Sequence, residues 1–580
     1  MKTRIGSGPA GSQRGVALMY AVFGTFVVAS MVSVMFAMAS VSDRQSEVKE
    51  GTSRARLLAE GALAAAEKDL RVSLAAWREP ATVGQIDVGG AAVDFEVSEL
   101  GAQQTFTEAS GIVRLVQPYE IETRARAAGA SAAAHRIVNV EWMPLFQFAV
   151  FYGDDLEIHA GPEMTLRGRV HSNADMYLGG ESTITFDTNY VRAVGDIYRA
   201  KKNGNVASGN VDIRKYVENP FDASEPRLFE RMLSKSQLAA RSISGYDSAF
   251  RDGYDANGDG DLLDGGDYLP FEFGSQELWG APAGYGVEGA TVMTGQHGIG
   301  EAVTPEIGSI QLWEETAPGS GEFEKGYYHA NAGLAIVVDE GGQTFTATDA
   351  EGNDVTDDIA PAVTLTGVPD MRQSDSAPED VPVIQIDVAA LAATGFTPGN
   401  GLIYAAHEGT GTGTEAKGVL LTNGAELPTA LTVASQGPVY VHGDYNTTDK
   451  KGAAVIGDAI NLLSNAWDGT KSPGRLPRAT ETTFNFAMIT GSYESEPDRY
   501  NGGLENLPRF HERWSGVPCN ISGSFVNIYD SQHATGDWRY GSDRYTAPIR
   551  NWQYDESFNS LGGLPPFTPM AVSAAQVVSW

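Results

Sequence analysis

Gly437-Pro438-Val439-Tyr440-Val441-His442-Gly443-Asp444-Tyr445-Asn446 is the stretch on which the fold turns. It sets alternating β-branched and aromatic residues between a glycine corner and a Gly/Asp/Asn corner. Period-two alternation marks a short strand, and glycine, Asn and Asp supply the turn conformations at its ends. The phrase also stands far upstream, as Gly168-Arg169-Val170-His171-Ser172-Asn173 and Val194-Gly195-Asp196-Ile197-Tyr198. Echoes follow at Ile456-Gly457-Asp458-Ala459-Ile460, Ile489-Thr490-Gly491-Ser492-Tyr493 and Ile521-Ser522-Gly523-Ser524-Phe525-Val526-Asn527-Ile528. Short strands between polar corners are what a parallel β-helix or stacked β-solenoid requires, since each coil buries its inward residues against the next. A sandwich, or several small β domains, is the competing reading.

The expectation is therefore a mainly β chain with a solenoid-like body in two parts, 148–215 and 436–580. Residues 216–435 between them read as a large insertion, with a helical piece near Glu225–Ala240. Within it, 339–380 holds eleven acids against one base, Arg372, which fits solvated acidic loops and hairpins; a diffuse cation-binding surface is the alternative. Glycine supplies 67 of 580 residues, well above the usual proportion of about 7%, as a turn-rich β protein needs.

Upstream of the body the pattern changes. Val93-Asp94-Phe95-Glu96-Val97, Tyr119–Arg126 and Ile137–Trp142 alternate as half-buried strands, so 81–147 reads as an antiparallel sheet. Before it, Val16–Ser42 is an uncharged run of 27 residues, about 40 Å of helix and more than a bilayer core requires. The leader 1–15 carries Lys2, Arg4 and Arg14 and no acid, which places the amino terminus in the cytoplasm and the rest outside it. Ala37-Met38-Ala39 resembles a signal-peptide cleavage site, but the apolar run is too long for a typical signal. From Asp43 the helix turns amphipathic, with Leu63, Ala66, Leu70, Leu74 and Trp77 on one stripe, and 43–80 reads as its extension. Gly51 and Gly61 are its weak points, and Glu79-Pro80 its stop.

Arg14-Gly15-Val16-Ala17-Leu18, the uncharged run and Leu58-Ala59-Glu60-Gly61-Ala62-Leu63 resemble the amino-terminal region of PilX-type minor pilins of the type IV pilus. The start of the minor pseudopilin K of type II secretion is similar. The resemblance covers residues 13–68. It implies a pilin-like head at 81–147, processing between Gly15 and Val16, and anchorage in a bacterial inner membrane with the body in the periplasm or at the cell surface. Cleavage there puts Tyr20 at the fifth mature position, where most pilins carry glutamate. The "GxVHSN … GDI" texture behind such a start is similar to a group of large bacterial proteins, and that likeness attaches no reaction to the β-rich body.

One motif points to a cation. In Asp255-Ala256-Asn257-Gly258-Asp259-Gly260-Asp261-Leu262-Leu263-Asp264-Gly265-Gly266-Asp267, the first, third, fifth and sixth positions match a calcium loop. Asp255, Asn257, Asp259, Asp261 (through its carbonyl), Asp264 and Asp267 are the candidate ligands of a structural calcium ion. Gly266 stands where the twelfth-position acid belongs, and Asp267 follows it.

No catalytic residue is assigned. Nine histidines are scattered, with no HExxH and no GxSxG. His171 and His442, alike in their two phrases, read as corner residues hydrogen-bonding backbone. The single cysteine, Cys519, excludes an intrachain disulfide and reads as a buried apolar residue. Trp514, Trp538, Tyr540, Tyr545, Trp552, Tyr554 and Trp580 read as a cap on the open end of the solenoid, with sugar-stacking platforms as the alternative. A net charge of −33 argues against nucleic acid.

The sequence thus describes a membrane-anchored, pilin-like, non-enzymatic surface or periplasmic protein acting in assembly or adhesion. Its expected partners are the membrane, other pilins or pseudopilins, and a surface polysaccharide. An anchored calcium-dependent carbohydrate-active β-helix and an envelope scaffold unrelated to filaments are the alternatives. Acids converging with a basic residue in a groove would favour the enzyme.

Overall fold

Helix α1 runs over Gln13–Ala75, 63 residues and about 95 Å at 1.5 Å per residue. The computed structural model describes residues 13–75, 78–108, 110–199, 201–203, 208–215, 217, 219–232, 249–250, 291–295, 299–316, 319–373, 379–409, 411, 415–472, 475–496, 499–541 and 544–579. Residues 18–50 of α1 are exposed on every side. Among the described residues this is the one helix long and apolar enough to cross a membrane. From Gly51 a stripe of Ala55, Ala59, Ala62, Leu63, Ala66 and Leu70 is buried at helical spacing. The small residues let the helix lie close to what it covers. A Cβ on Gly51 would sit 3.0 Å from the Ala127 carbonyl oxygen, so this poor helix former marks the closest approach. The helix ends at Ala75, four residues before Glu79, and Trp77 lies outside the described residues.

The covered surface is an antiparallel sheet of β1 (Val83–Val88), β2 (Ala91–Glu99), β3 (Gln104–Thr107), β4 (Val113–Ala127) and β5 (Ala130–Pro144). The order is β1-β2-β4-β5, with β3 also on β4. Val93, Val97, Ile121, Val138 and Val140 pack under the α1 stripe. A sixth strand, Met570–Ser579, pairs antiparallel with β5. Reading 436–580 as body alone missed this return, because nothing local in the last strand names a partner over 400 residues earlier.

The body is built from short strands that stack in parallel. They are β6 (Val150–Tyr152), β7 (Leu156–Ile158), β8 (Met164–Arg167), β9 (Val170–Ser172), β10 (Met176–Leu178), β11 (Ile184–Asp187), β12 (Val191–Ala193), β13 (Ile197–Tyr198) and β14 (Val211–Arg214). Val150, Val170 and Val191 lie in register, as do Leu156, Met176 and Ile197, and Met164, Ile184 and Val211. The corner aspartates explain the sequence phrase: the Asp155 carboxylate accepts the Asp175 N–H at 2.9 Å, and Asp175 accepts that of Asp196 at 2.7 Å. Each carboxylate satisfies a backbone donor one tier away that the bend leaves unpaired.

The two parts read from the sequence form one stack, joined where neither was expected to end. Strand Phe525–Asn527 pairs in parallel with β6. A single inward ladder then runs Leu334, Ile403, Val433, Val455, Met488, Phe525, Val150, Val170, Val191, Val292. Every member is at most 3% exposed, so the ladder is core throughout. The chain enters at the middle, builds outward to Val292, crosses to the far end at Leu334, and returns to its starting tier. Strands Leu334–Val338, Leu402–His407, Gly418–Thr422 and Leu431–Ala434, inside the stretch read as insertion, belong to these sheets. Near Glu225 the described residues hold no helix; Phe229–Arg231 is a strand on β14. The chain as a whole is mainly β with a long amino-terminal helix, and its sheets mix parallel and antiparallel pairs.

Gly168, at the corner before β9, has φ +92°, and a Cβ there would lie 2.8 Å from Tyr554 Cγ and 3.0 Å from Ala149 Cβ. The two halves press together at this point. Gly168→Ala combines left-handed strain with overpacking, and a loss of about 2 kcal/mol or more is expected in denaturant unfolding. Wild-type stability in that variant would show that the joint tolerates a side chain.

Candidate functional site

Three places bear on function: the exposed half of α1, a cleft at the joint, and a buried polar network. The α1 residues 18–42 present Phe23, Phe26, Met31, Met35 and Phe36 outward, each at least 64% exposed. This stretch is long and apolar enough to cross a membrane. Gly15 and Val16 lie inside α1.

The cleft is a cavity of about 370 Å³. One wall is made of stacked corners, at His159–Pro162, Gly180–Glu181 and Lys201. The other carries Tyr500, Glu505 and Asn506, with Trp538, Tyr540, Tyr545 and Arg550. Glu505, 4% exposed, ties the walls together: its Oε2 accepts the His159 N–H at 3.0 Å. Burial raises the Glu505 carboxyl above its ordinary range, against the pull of Arg550. The Arg550 Nη2 donates to the Glu505 carbonyl at 3.3 Å. Its Nε and Nη1, and the Nδ1 of His159, are buried without a hydrogen-bond partner. Beneath the His159 ring, Nε2 stands 3.0 Å from Glu157 Oε1. Trp538 packs edge-on to Tyr500, centroids 5.0 Å apart, and donates from Nε1 to Tyr545 Oη at 3.1 Å.

The network lies on the outer side of the sheet containing Pro438–His442, under covering loops. The Asp370 carboxylate accepts from Tyr440 Oη at 2.7 Å and from the Arg372 N–H at 2.6 Å. Lys471 Nζ donates to His511 Nδ1 at 3.3 Å, and His511 Nε2 donates to Asn461 Oδ1 at 2.8 Å. That assignment uses the neutral imidazole, and burial drives the His511 pKa down to about 3. Glu512 accepts the N–H and Oγ–H of Ser464, both at 2.6 Å. Burial pushes the Lys471 ammonium down to about 7 and the Glu512 carboxyl up to about 7. Asp370 stays ionised: burial opposes it, but the facing Lys471 and the two hydrogen bonds from Tyr440 and the Arg372 N–H hold its carboxyl below the ordinary range. Asp370, Lys471, His511 and Glu512 are all 5% exposed or less, and their hydrogen bonds run between the covering loops and the sheet, so the network fastens those loops.

Lys471 gives this network a pH signature. Between its folded pKa of about 7 and its unfolded value of 10.5 the unfolded chain binds the extra proton. Stability attributable to Lys471 therefore rises with pH in that window, by up to about 1.4 kcal/mol per unit, and is lost as pH falls through 7. Wild-type stability minus that of Lys471→Met, from urea melts at pH 7 and pH 9, should increase with pH; a flat difference refutes the shift.

The remaining sequence candidates are dispersed. The calcium-type residues Asp255, Asn257, Asp259, Asp261, Asp264 and Asp267 lie outside the described residues. Among the described residues no three His, Cys, Asp or Glu side chains are grouped to hold a metal. In the acidic stretch, Asp339, Asp349 and Asp354 accept backbone N–H groups within their own turns. His171 stacks on Phe151, centroids 4.9 Å apart, and contacts the Asn173 side chain rather than backbone. His442 sits in a different sheet from it. Cys519 is buried, and burial pushes its thiol up.

The aromatic run is not a terminal cap. Trp514, Tyr545, Trp552 and Tyr554 are buried, and Trp552 stacks on Phe525 at the joint, with centroids 4.9 Å apart. Trp538 and Tyr540 alone among the described members keep substantial exposure beside the cleft. Sequence reasoning missed Glu505, Arg550, Asp370 and Lys471, whose partners are distant in the chain. The one signal available was the aromatic density around Trp538.

No family model matches the chain, and no curated protein matches it. Among solved structures it is similar to the crystal structure of the competence-associated pilin ComZ from Thermus thermophilus, with 8% identity and a TM-score of 0.26, over 91% of this chain and 97% of that one. A TM-score of that size identifies neither fold nor function.

Proposed function

We propose that this chain is a pilin-related protein held in the inner membrane by α1, with the amino terminus cytoplasmic and the body outside. One observation carries the reading: α1 is a single helix whose residues 18–50 are bare while residues 51–75 are built into an antiparallel sheet. A soluble protein would not leave the first half uncovered. Gly15–Val16 processing and a PilX-type role follow from the residues quoted for that resemblance. We read the parallel stack as a β-solenoid displayed by this anchor, non-enzymatic, and serving assembly or adhesion; the cleft does bring Glu181 and Glu505 beside Lys201 and Arg550, and cleavage of an oligosaccharide by the full chain would favour the anchored enzyme instead.

The test uses a photoreactive amino acid in place of Phe23 or Met35 in the native host. Cross-links to the helices of other pilin-type subunits are the expected result. Cross-links to lipid alone would favour the envelope scaffold unrelated to filaments.

Calcium binding at Asp255–Asp267 belongs to the same proposal. A ligand at one hundred times its Kd stabilises the folded state by about 2.7 kcal/mol. Wild-type protein should therefore melt higher in calcium than in chelator, and Asp255→Ala/Asp259→Ala should not. An equal response in both would place the ion elsewhere.

A further inference from the structure

The cleft at the joint plays no part in anchoring, yet it is built as a binding site. Its walls are joined by the Glu505–His159 hydrogen bond, which links residues 346 positions apart. Its size is that of a small-molecule site. Two features of the lining point to one kind of ligand.

The first is aromatic. Tyr540 is 57% exposed, and packs edge-on to Tyr545 with centroids 5.4 Å apart. Trp538 is held between Tyr500 and Tyr545 by the contacts described above. Rigid, half-open rings bind a flat apolar face at low entropic cost.

The second is polar. His159 has a side chain only 3% exposed, and its Nδ1 has no hydrogen-bond partner; Arg550 Nε and Nη1 are likewise buried and unpartnered. Buried polar atoms without partners are costly, and the two residues that carry these atoms line the same cavity as the aromatic rings. A ligand bearing oxygens around an apolar ring face satisfies both features. Lys201 and Arg550 are countered in the lining by Glu181 and Glu505, and the chain carries −33 overall. A polyanion would approach against that field.

We propose that this cleft binds an uncharged saccharide, with a sugar ring face lying across Tyr540 and Trp538 and hydroxyls on Arg550, His159 and Glu505. The inference goes beyond the anchoring role and does not depend on it.

The test is calorimetric titration of the full chain, in a detergent without sugar headgroups, with maltohexaose, cellohexaose and chitohexaose, and with trigalacturonate as the anionic probe. At least one neutral oligosaccharide should bind with a Kd below about 10 mM. Tyr540→Ala should weaken it about tenfold or more, with an unchanged melting temperature, because the ring is at the surface. Trp538→Ala should do the same, and Tyr540→Ala keeps the test decisive if Trp538→Ala misfolds. Absence of binding by all three neutral probes overturns the proposal. So does undiminished binding by Tyr540→Ala and Trp538→Ala, which would move the site elsewhere, and binding of trigalacturonate alone, which would reverse the charge assignment.

Discussion

Asp370→Asn is expected to destabilise the full chain by about 3–5 kcal/mol, the usual cost of removing one partner from a buried charge cluster. The wild-type carboxylate is the anion to which the Tyr440 hydroxyl and the Arg372 N–H donate, with His511 Nδ1 at 3.6 Å. Lys471 and Arg372, both nearly inaccessible, are left facing a neutral amide in the variant. The amide presents only one acceptor oxygen where the carboxylate presented two, so one of two donors also loses its partner. Tyr440→Phe separates these effects. It removes one hydrogen bond and no charge, and its cost should be nearer 1 kcal/mol. Melting curves of the three proteins in the same detergent provide the comparison. Similar losses for both variants would mean that the ionised form of Asp370 contributes nothing beyond its hydrogen bonds.

Deleting residues 1–42 should convert the protein from fully membrane-bound to soluble, with the remainder folded. The deletion removes the uncharged run and leaves Asp43–Glu50, an exposed and mostly polar segment, ahead of the packed half of α1. The buried stripe of the helix begins beyond the cut, at Gly51, and keeps its contacts with the sheet. Each buried Leu, Ile, Phe or Val in a spanning helix contributes about −0.3 to −0.6 kcal/mol to insertion, and the deletion takes all of those in the run together. No other described helix is long and apolar enough to substitute. Fractionation in high salt is the measurement, with circular dichroism to check that β structure persists. Retention of the truncated protein in the membrane pellet would assign the anchorage to another part of the chain.

The long apolar half and the packed extension of α1 were legible from sequence because both are local properties. Charge-free length and helical spacing act within a few turns, and no distant residue can cancel them. The corner phrases were legible for the same reason: Asp155, Asp175 and Asp196 each serve a bend that recurs along the chain. The cleft was not legible. Glu505 is one acid among 74 Asp and Glu residues in the chain, and the His159 N–H that it accepts lies 346 positions away. Lys471 and Asp370 could not be paired from their spacing, since the contact depends on loops folding over a sheet face.

By itself, then, the sequence determined the long apolar helix, the antiparallel strands it covers, the short strands between glycine and aspartate corners, and the acidic surface. Tertiary structure alone decided the order in which the tiers stack, the joint of Phe525–Asn527 on Val150–Tyr152, and the return of Met570–Ser579 to the first sheet. The reason is physical. A short parallel strand with aliphatic residues inward accepts many similar neighbours, so local pattern leaves the partner open. The choice falls to chain entry, the side chains that fit at Gly168 and Trp552, and the need to cover the exposed edge of the starting tier.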